Sequence, residues 1–91
     1  SDPNWEANHE ALAMMLLRSG DTPLAASEFE KLSKLPHRLD ALACAAVCRR
    51  ILGDSAGAES LVAAAGRRGQ MPVPRFRLWV ARLTETFPGR R

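Results

Sequence analysis

Apolar residues recur along this chain at helical spacing, in five runs separated by short polar or proline-containing breaks. The first run carries Trp5, Leu12, Met15, Leu16 and Leu17, with Met14 widening the stripe onto a second side. A stripe that broad predicts a first helix buried on two faces. Asp2 reads as its N-cap and Pro3 as its first helical residue, with Glu6 placed to favour the positive end of the helix dipole. Gly20 is expected to end it.

The same device then repeats. Asp21 or Thr22 caps a second helix with Pro23 at its first position. Leu24, Ala25, Phe29, Leu32 and Leu35 form its apolar face, Glu28, Glu30, Lys31 and Lys34 a solvated one, and Pro36 its end. A third helix is predicted from Arg38 to Leu52, burying Leu39, Leu42, Ala45, Ala46 and Leu52, where the small residues permit close helix approach. A fourth runs from Ser55 to about Ala65 with Ala58, Leu61, Val62 and Ala65 on one side, weakened by Gly57. Two prolines make Arg67 to Pro74 a connector. The last helix places Phe76, Trp79, Val80, Leu83 and Phe87 on one face, with Arg75, Arg77, Arg82 and Glu85 off it. It reads as a lid over the open end of the preceding helices. Pro88-Gly89-Arg90-Arg91 is expected to fray.

The breaks Ser19-Gly20-Asp21-Thr22-Pro23-Leu24-Ala25 and Leu52-Gly53-Asp54-Ser55-Ala56-Gly57-Ala58 echo one another, with Gly20 and Gly53 33 residues apart. A period of that size is the signature of a helix-turn-helix repeat. Those positions resemble the tetratricopeptide repeat. Leu12-Ala13 matches the family's first-helix pair, Gly20-Asp21 its turn, Ala25 and Phe29 the small and aromatic residues of its second helix, and Pro36 its terminal proline, one residue early. In the second copy Ala46, Gly53-Asp54, Ala58 and Ala65 match, while Ala45 stands for Leu, Val62 for the aromatic, and Arg49 where a large apolar residue belongs. The resemblance spans residues 4–69 and implies an all-α single domain, residues 1–91. Its parts are one antiparallel repeat over 3–35, a second over 38–66, a linker over 67–73 and a capping helix over 74–87. A helical bundle of another kind is the alternative.

The resemblance also implies a function. First helices of such repeats line a concave groove that holds a partner helix or peptide, which here maps to Glu10, Met14, Leu17, Arg18, Ala43, Val47, Arg50 and Ile51. Met14, Leu17, Val47 and Ile51 would form an adaptable apolar floor. The competing reading packs them on neighbouring helices or a second copy. Members that grip a chaperone's C-terminal carboxylate use Lys and Asn where this chain has Glu10 and Met14, and Glu10 would repel that ligand. Small free-standing proteins of this look include chaperones of bacterial type III secretion, and the Ala, Leu and Arg bias has a bacterial character.

Composition agrees with a helical domain: 91 residues, 46% hydrophobic, mostly Ala and Leu, with no tyrosine. Apolar runs such as Ala11 to Leu17 are too short to span a bilayer, and no leader pattern opens the chain, so a cytoplasmic protein is expected. The net charge of +3 conceals an asymmetry. Residues 1–45 hold seven acidic and four basic side chains, whereas residues 46–91 hold nine arginines and three acids. That polarity suits an acidic partner or contact between copies, which makes homo-oligomerisation an alternative function. A basic face of Arg67, Arg68, Arg75, Arg77 and Arg82 raises nucleic-acid binding as another, although Phe76 and Trp79 fall on the apolar stripe and are thereby committed to the core.

Little in the chain suggests catalysis. No phosphate-binding glycine loop, metalloprotease helix or nucleophile elbow occurs. His9, His37, Cys44 and Cys48 lack a metal-ligand spacing, and no cofactor is implied. His37 beside Pro36 is placed to cap the helix before it. Cys44 and Cys48 lie one helical turn apart, too far for an unstrained disulfide, and read as small buried hydrophobes in a reducing compartment.

Overall fold

A computed structural model describes residues 3–87. The expected N-cap Asp2 and the tail Pro88–Arg91 lie outside them. The described chain is five helices, α1 (Pro3–Arg18), α2 (Thr22–Ser33), α3 (Leu39–Ile51), α4 (Ser55–Arg68) and α5 (Val73–Thr86), without a strand among those residues.

The two glycine turns are built alike. Gly20 and Gly53 take φ of +88° and +80°, a conformation only glycine adopts without strain. Asp21 N donates to Leu16 O at 2.8 Å, and 33 residues later Asp54 N donates to Arg49 O at 2.8 Å. Gly20 N to Leu17 O (3.2 Å) is echoed by Gly53 N to Arg50 O (3.0 Å), and Ala25 N to Asp21 O by Ala58 N to Asp54 O, both 3.0 Å. One backbone arrangement thus ends one helix and starts the next, twice. The caps differ in one respect. Asp54 Oδ1 accepts from Gly57 N at 2.9 Å, whereas Asp21 makes no side-chain cap bond.

Several boundaries depart from expectation. The second helix ends at Ser33, ahead of Pro36, because Lys34 and Leu35 bond back three residues and tighten the last turn. The fourth continues through Arg67 and Arg68, where a linker was expected, and closes on Gly69 at φ +70°. Pro72 and Pro74 sit at the start of α5, where no backbone N–H is needed, so the helix begins one residue earlier than anticipated.

Helix α3 packs against α2, α4 and α5, and α1 against α2. One cluster joins Ala13 and Leu17 of α1, Ala25, Ala26, Phe29 and Leu32 of α2, and Ala41, Ala45 and Cys48 of α3. The other joins Leu42, Ala43, Ala46 and Val47 from the opposite side of α3 with Val62 and Ala65 of α4 and Phe76 and Val80 of α5. The amphipathic reading of α5 holds: Phe76 and Val80 are fully buried, and Trp79 meets Phe76 edge-on at 5.9 Å. The stripe expected on α1 holds only in part. Leu17 is buried and Leu16 packs against the same cluster, but Trp5, Leu12 and Met15 are exposed, and Ala13 joins Leu17 in the core. Leu24 and Leu52, also expected inside, are exposed.

Charges expected in solvent on α2 tie the helices together instead. Glu28 accepts from His9 Nδ1 of α1 at 2.5 Å and from Lys31 Nζ at 2.9 Å, and these bonds, the His9 one foremost, hold its carboxyl below the usual range. Glu30 Oε2 accepts from Arg49 Nε and Nη2 of α3 at 3.0 and 2.6 Å. Arg49, where the repeat pattern calls for a large apolar residue, is therefore held by two charge-assisted bonds to one carboxylate oxygen of the preceding helix.

Candidate functional site

An open depression runs along α1 where it meets the start of α3. Ala7, Ala11 and Met14, at i, i+4 and i+7, lie along one side of α1, and Arg18 continues the row a turn further on. Glu6, Glu10 and Arg38 complete the lining of an open groove of ≈ 600 Å³. Its apolar part is made of small side chains and one flexible thioether, which adapts to irregular partners.

Arg38 organises the polar edge. Its Nε and Nη2 each lie 3.0 Å from a carboxylate oxygen of Asp40, its Nη1 donates to Glu6 Oε1 at 3.2 Å, and its Nη2 also donates to Glu10 Oε1. His37 Nε2 reaches the same Glu6 oxygen at 2.9 Å. The His37 bond, with Arg38 behind it, draws Glu6 below the ordinary carboxylate range. Burial opposes ionisation of Asp40, but the Arg38 bonds prevail and its carboxyl too is lowered. Bonds from Asp40 first, then Glu10 and Glu6, raise Arg38. One guanidinium thus faces three carboxylates, and Glu10 and Asp40 keep half of their side-chain surface in solvent. This edge is acidic. At the other end of the row Arg18 is exposed and makes no bond or ion pair within the described residues. The groove is therefore polarised along α1.

The eight residues expected to line one groove separate into three groups. Glu10, Met14 and Arg18 line the groove just described. Leu17, Ala43 and Val47 do not; all three are buried. Leu17 points between α2 and α3, and α5 covers the side of α3 that carries Ala43 and Val47. Arg50 and Ile51 line a smaller depression with Ala81, Thr84 and Glu85 of α5. Missing from the sequence reading were Glu6, Ala7, Ala11 and Arg38. The spacing of Ala7, Ala11 and Met14 could have signalled the floor, whereas the Arg38 link spans 28 to 32 residues and left no local pattern.

The basic face needs similar correction. Arg67, Arg75 and Arg82 are exposed and unbonded among the described residues. Arg77 pairs with Glu59 at 2.7 Å. Arg68 turns inward, its Nη2 donating to Ser33 O at the end of α2, with Nη1 buried and unbonded. That capping role had been assigned to His37, which instead joins Glu6. Phe76 lies wholly in the core and offers nucleic acid no stacking surface.

Cys44 and Cys48 are free thiols, and burial pushes them up to about 11 and about 12. Neither is poised as a thiolate near neutrality. Among the described residues no three His, Cys, Asp or Glu side chains are placed to hold a metal ion.

The described residues form an all-α fold of five helices in which one turn geometry between helices occurs twice. No helix among the described residues is long and apolar enough to cross a membrane. No protein-family model, curated protein or solved structure matches the chain.

Proposed function

We propose that this protein is a non-catalytic interaction module of tetratricopeptide-like architecture, holding a partner helix or extended segment along α1 in the groove floored by Ala7, Ala11 and Met14. The observation that carries this reading is the groove's construction. An apolar row lies open between an acidic edge organised by Arg38 and the unbonded cation Arg18. An amphipathic segment laid along such a row contributes apolar burial, and its charges fix direction. Its basic side chains would meet Glu10 and Asp40, and an acidic one Arg18. The 33-residue recurrence of the turns supports a repeat scaffold. A chaperone or assembly role, as in the small secretion chaperones this chain resembles, follows from that scaffold by analogy alone.

A photo-reactive residue at Ala11 tests the reading. The expected result is a single crosslinked polypeptide whose capture is lost with Met14→Glu and with Arg18→Glu, and retained with Leu52→Glu, an exposed residue that does not line the groove. Capture indifferent to both groove substitutions, or no capture, would overturn it.

A further inference from the structure

The side of α1 that forms the groove has a counterpart in this molecule that already carries a helix. Glu6, Glu10, Met14 and Arg18 follow one another at intervals of four along the groove. Shifted by the 33-residue period, they become Leu39, Ala43, Val47 and Ile51 of α3. Ala43 and Val47 belong to the cluster that holds Phe76 and Val80 of α5, and Leu39 and Ile51 pack against it. On α3 the row is therefore the seat of α5. On α1 it stays open, because α3 packs against α2 and meets the groove at Arg38.

The seating of α5 sets a direction. Ala81, Thr84 and Glu85, in its second half, share a depression with Arg50 and Ile51 at the end of α3. The two helices thus run the same way. A helix seated likewise on α1 brings its N-terminus to Glu6 and Glu10 and its C-terminus to Arg18.

The two rows differ in chemistry. On α3 the row is apolar throughout and takes the apolar face of α5. On α1 the middle is apolar, with Met14 beside Ala7 and Ala11, while the ends are charged. At one end Arg38 alone faces Glu6, Glu10 and Asp40, so that edge keeps an excess of negative charge. It complements the positive N-terminal end of a helix, and the unbonded Arg18 complements the negative C-terminal end. The same two ends favour basic side chains early in the occupant and acidic ones late. That order is the reverse of the one that stabilises an isolated helix, so such a segment is poorly helical alone and folds as it binds.

We propose that the occupant of the α1 groove is an amphipathic helix of another protein, running parallel to α1, with basic residues in its first half and acidic residues in its last. The proposal rests on the groove reading and adds to it the partner's conformation, direction and charge order.

Two peptides of identical composition test it, each as long as α5 at 14 residues. Both carry leucines along one face. One has lysines in its first turns and glutamates in its last, and the other has the reverse. By fluorescence anisotropy the first is expected to bind about tenfold more tightly, and to gain helical circular dichroism as it does. Glu10→Lys with Arg18→Glu should invert the preference, and Met14→Glu should weaken both peptides. The peptides' own helicity cannot produce this result, since it favours the reversed order. Equal binding, binding of neither, a preference untouched by the double substitution, or binding without helix formation would overturn the proposal. Where Ala11 still captures a partner, the groove stands and only its occupant is wrong; loss of that capture removes both.

Discussion

Gly66 of α4 lies so close to Val73 at the start of α5 that a Cβ on the glycine would sit 2.7 Å from the valine Cγ2. Helix propensity alone favours alanine at this position by up to about 1 kcal/mol. The crowding reverses that preference, because a β-branched side chain has little rotamer freedom with which to yield. Gly66→Ala is expected to destabilise by about 1–2 kcal/mol, as overpacking does. In a Val73→Ala background the same change should be neutral or stabilising. Urea unfolding of the four proteins checks the sign reversal, and a stabilising Gly66→Ala in the parent chain would refute the close approach.

At Gly20 and Gly53 the cost is conformational. Neither glycine has an atom within 4 Å of the place a Cβ would take, yet both hold positive φ. Alanine at either is expected to cost about 1 kcal/mol, without steric relief from any neighbour. The turns are separate, so the double variant should lose the sum to within about 0.5 kcal/mol. Chemical denaturation of the single and double variants reads this directly.

Leu17 and Met15 belong to the same apolar run but have opposite surroundings. Leu17 is buried among α1, α2 and α3, whereas Met15 is exposed. Leu17→Ala should destabilise by about 2–4 kcal/mol through the cavity it leaves. For Met15→Ala the expected change is within about 0.5 kcal/mol. Comparable losses for the two would mean that the helix is rotated from the orientation described.

Acid is expected to weaken the fold through Glu6 and Glu28. Both carboxyls lie below 4.5 when folded, chiefly through His37 and His9 respectively. The unfolded chain therefore binds protons first as pH falls, so stability rises with pH through this window and levels off above it. The melting temperature should decline as the pH falls below 4.5. Glu28→Gln should flatten part of that decline. A melting temperature independent of pH down to pH 3 would mean that these carboxylates gain nothing from their partners.

Thiol chemistry offers a check on the core. With Cys44 pushed up to about 11 and Cys48 to about 12, the thiolate fraction at pH 8 is roughly 0.1% or less. Alkylation of the native protein at pH 8 should run far slower than that of free cysteine and become fast in denaturant. Cys48, the more buried, should be the slower in single-cysteine variants. Modification of either at the free-thiol rate would place it outside the packed interior.

What was legible in the sequence follows from how local the cause is. The turns at Gly20 and Gly53 were readable because their conformation is fixed by a residue and its immediate neighbours. The buried face of α5 was readable because a helix packed on one side shows a single clean stripe. The first helix failed that logic. Trp5, Leu12 and Met15 sit at helical spacing just as core residues do, and which side of α1 meets α2 is a tertiary decision that leaves these three exposed. Ala13 was overlooked because a methyl group gives no hydrophobic emphasis even where it is completely enclosed. Glu28 and Glu30 looked solvated because their partners, His9 and Arg49, lie 19 residues away on other helices. The groove suffered from the same limit: which side of α3 receives α5 is a tertiary decision, and it removed Ala43 and Val47 from the surface.

Helix α3 is packed on two opposite sides. One side supplies Ala41, Ala45 and Cys48 to the first cluster, and the other supplies Leu42, Ala43, Ala46 and Val47 to the second. Each half of the molecule therefore borrows the same wall. Cutting the chain on either side of α3 leaves one half without a face to close against, so the protein cannot be shortened to a single hairpin. Both clusters must form or be lost together, and a defect in one is transmitted to the other through a single turn of backbone.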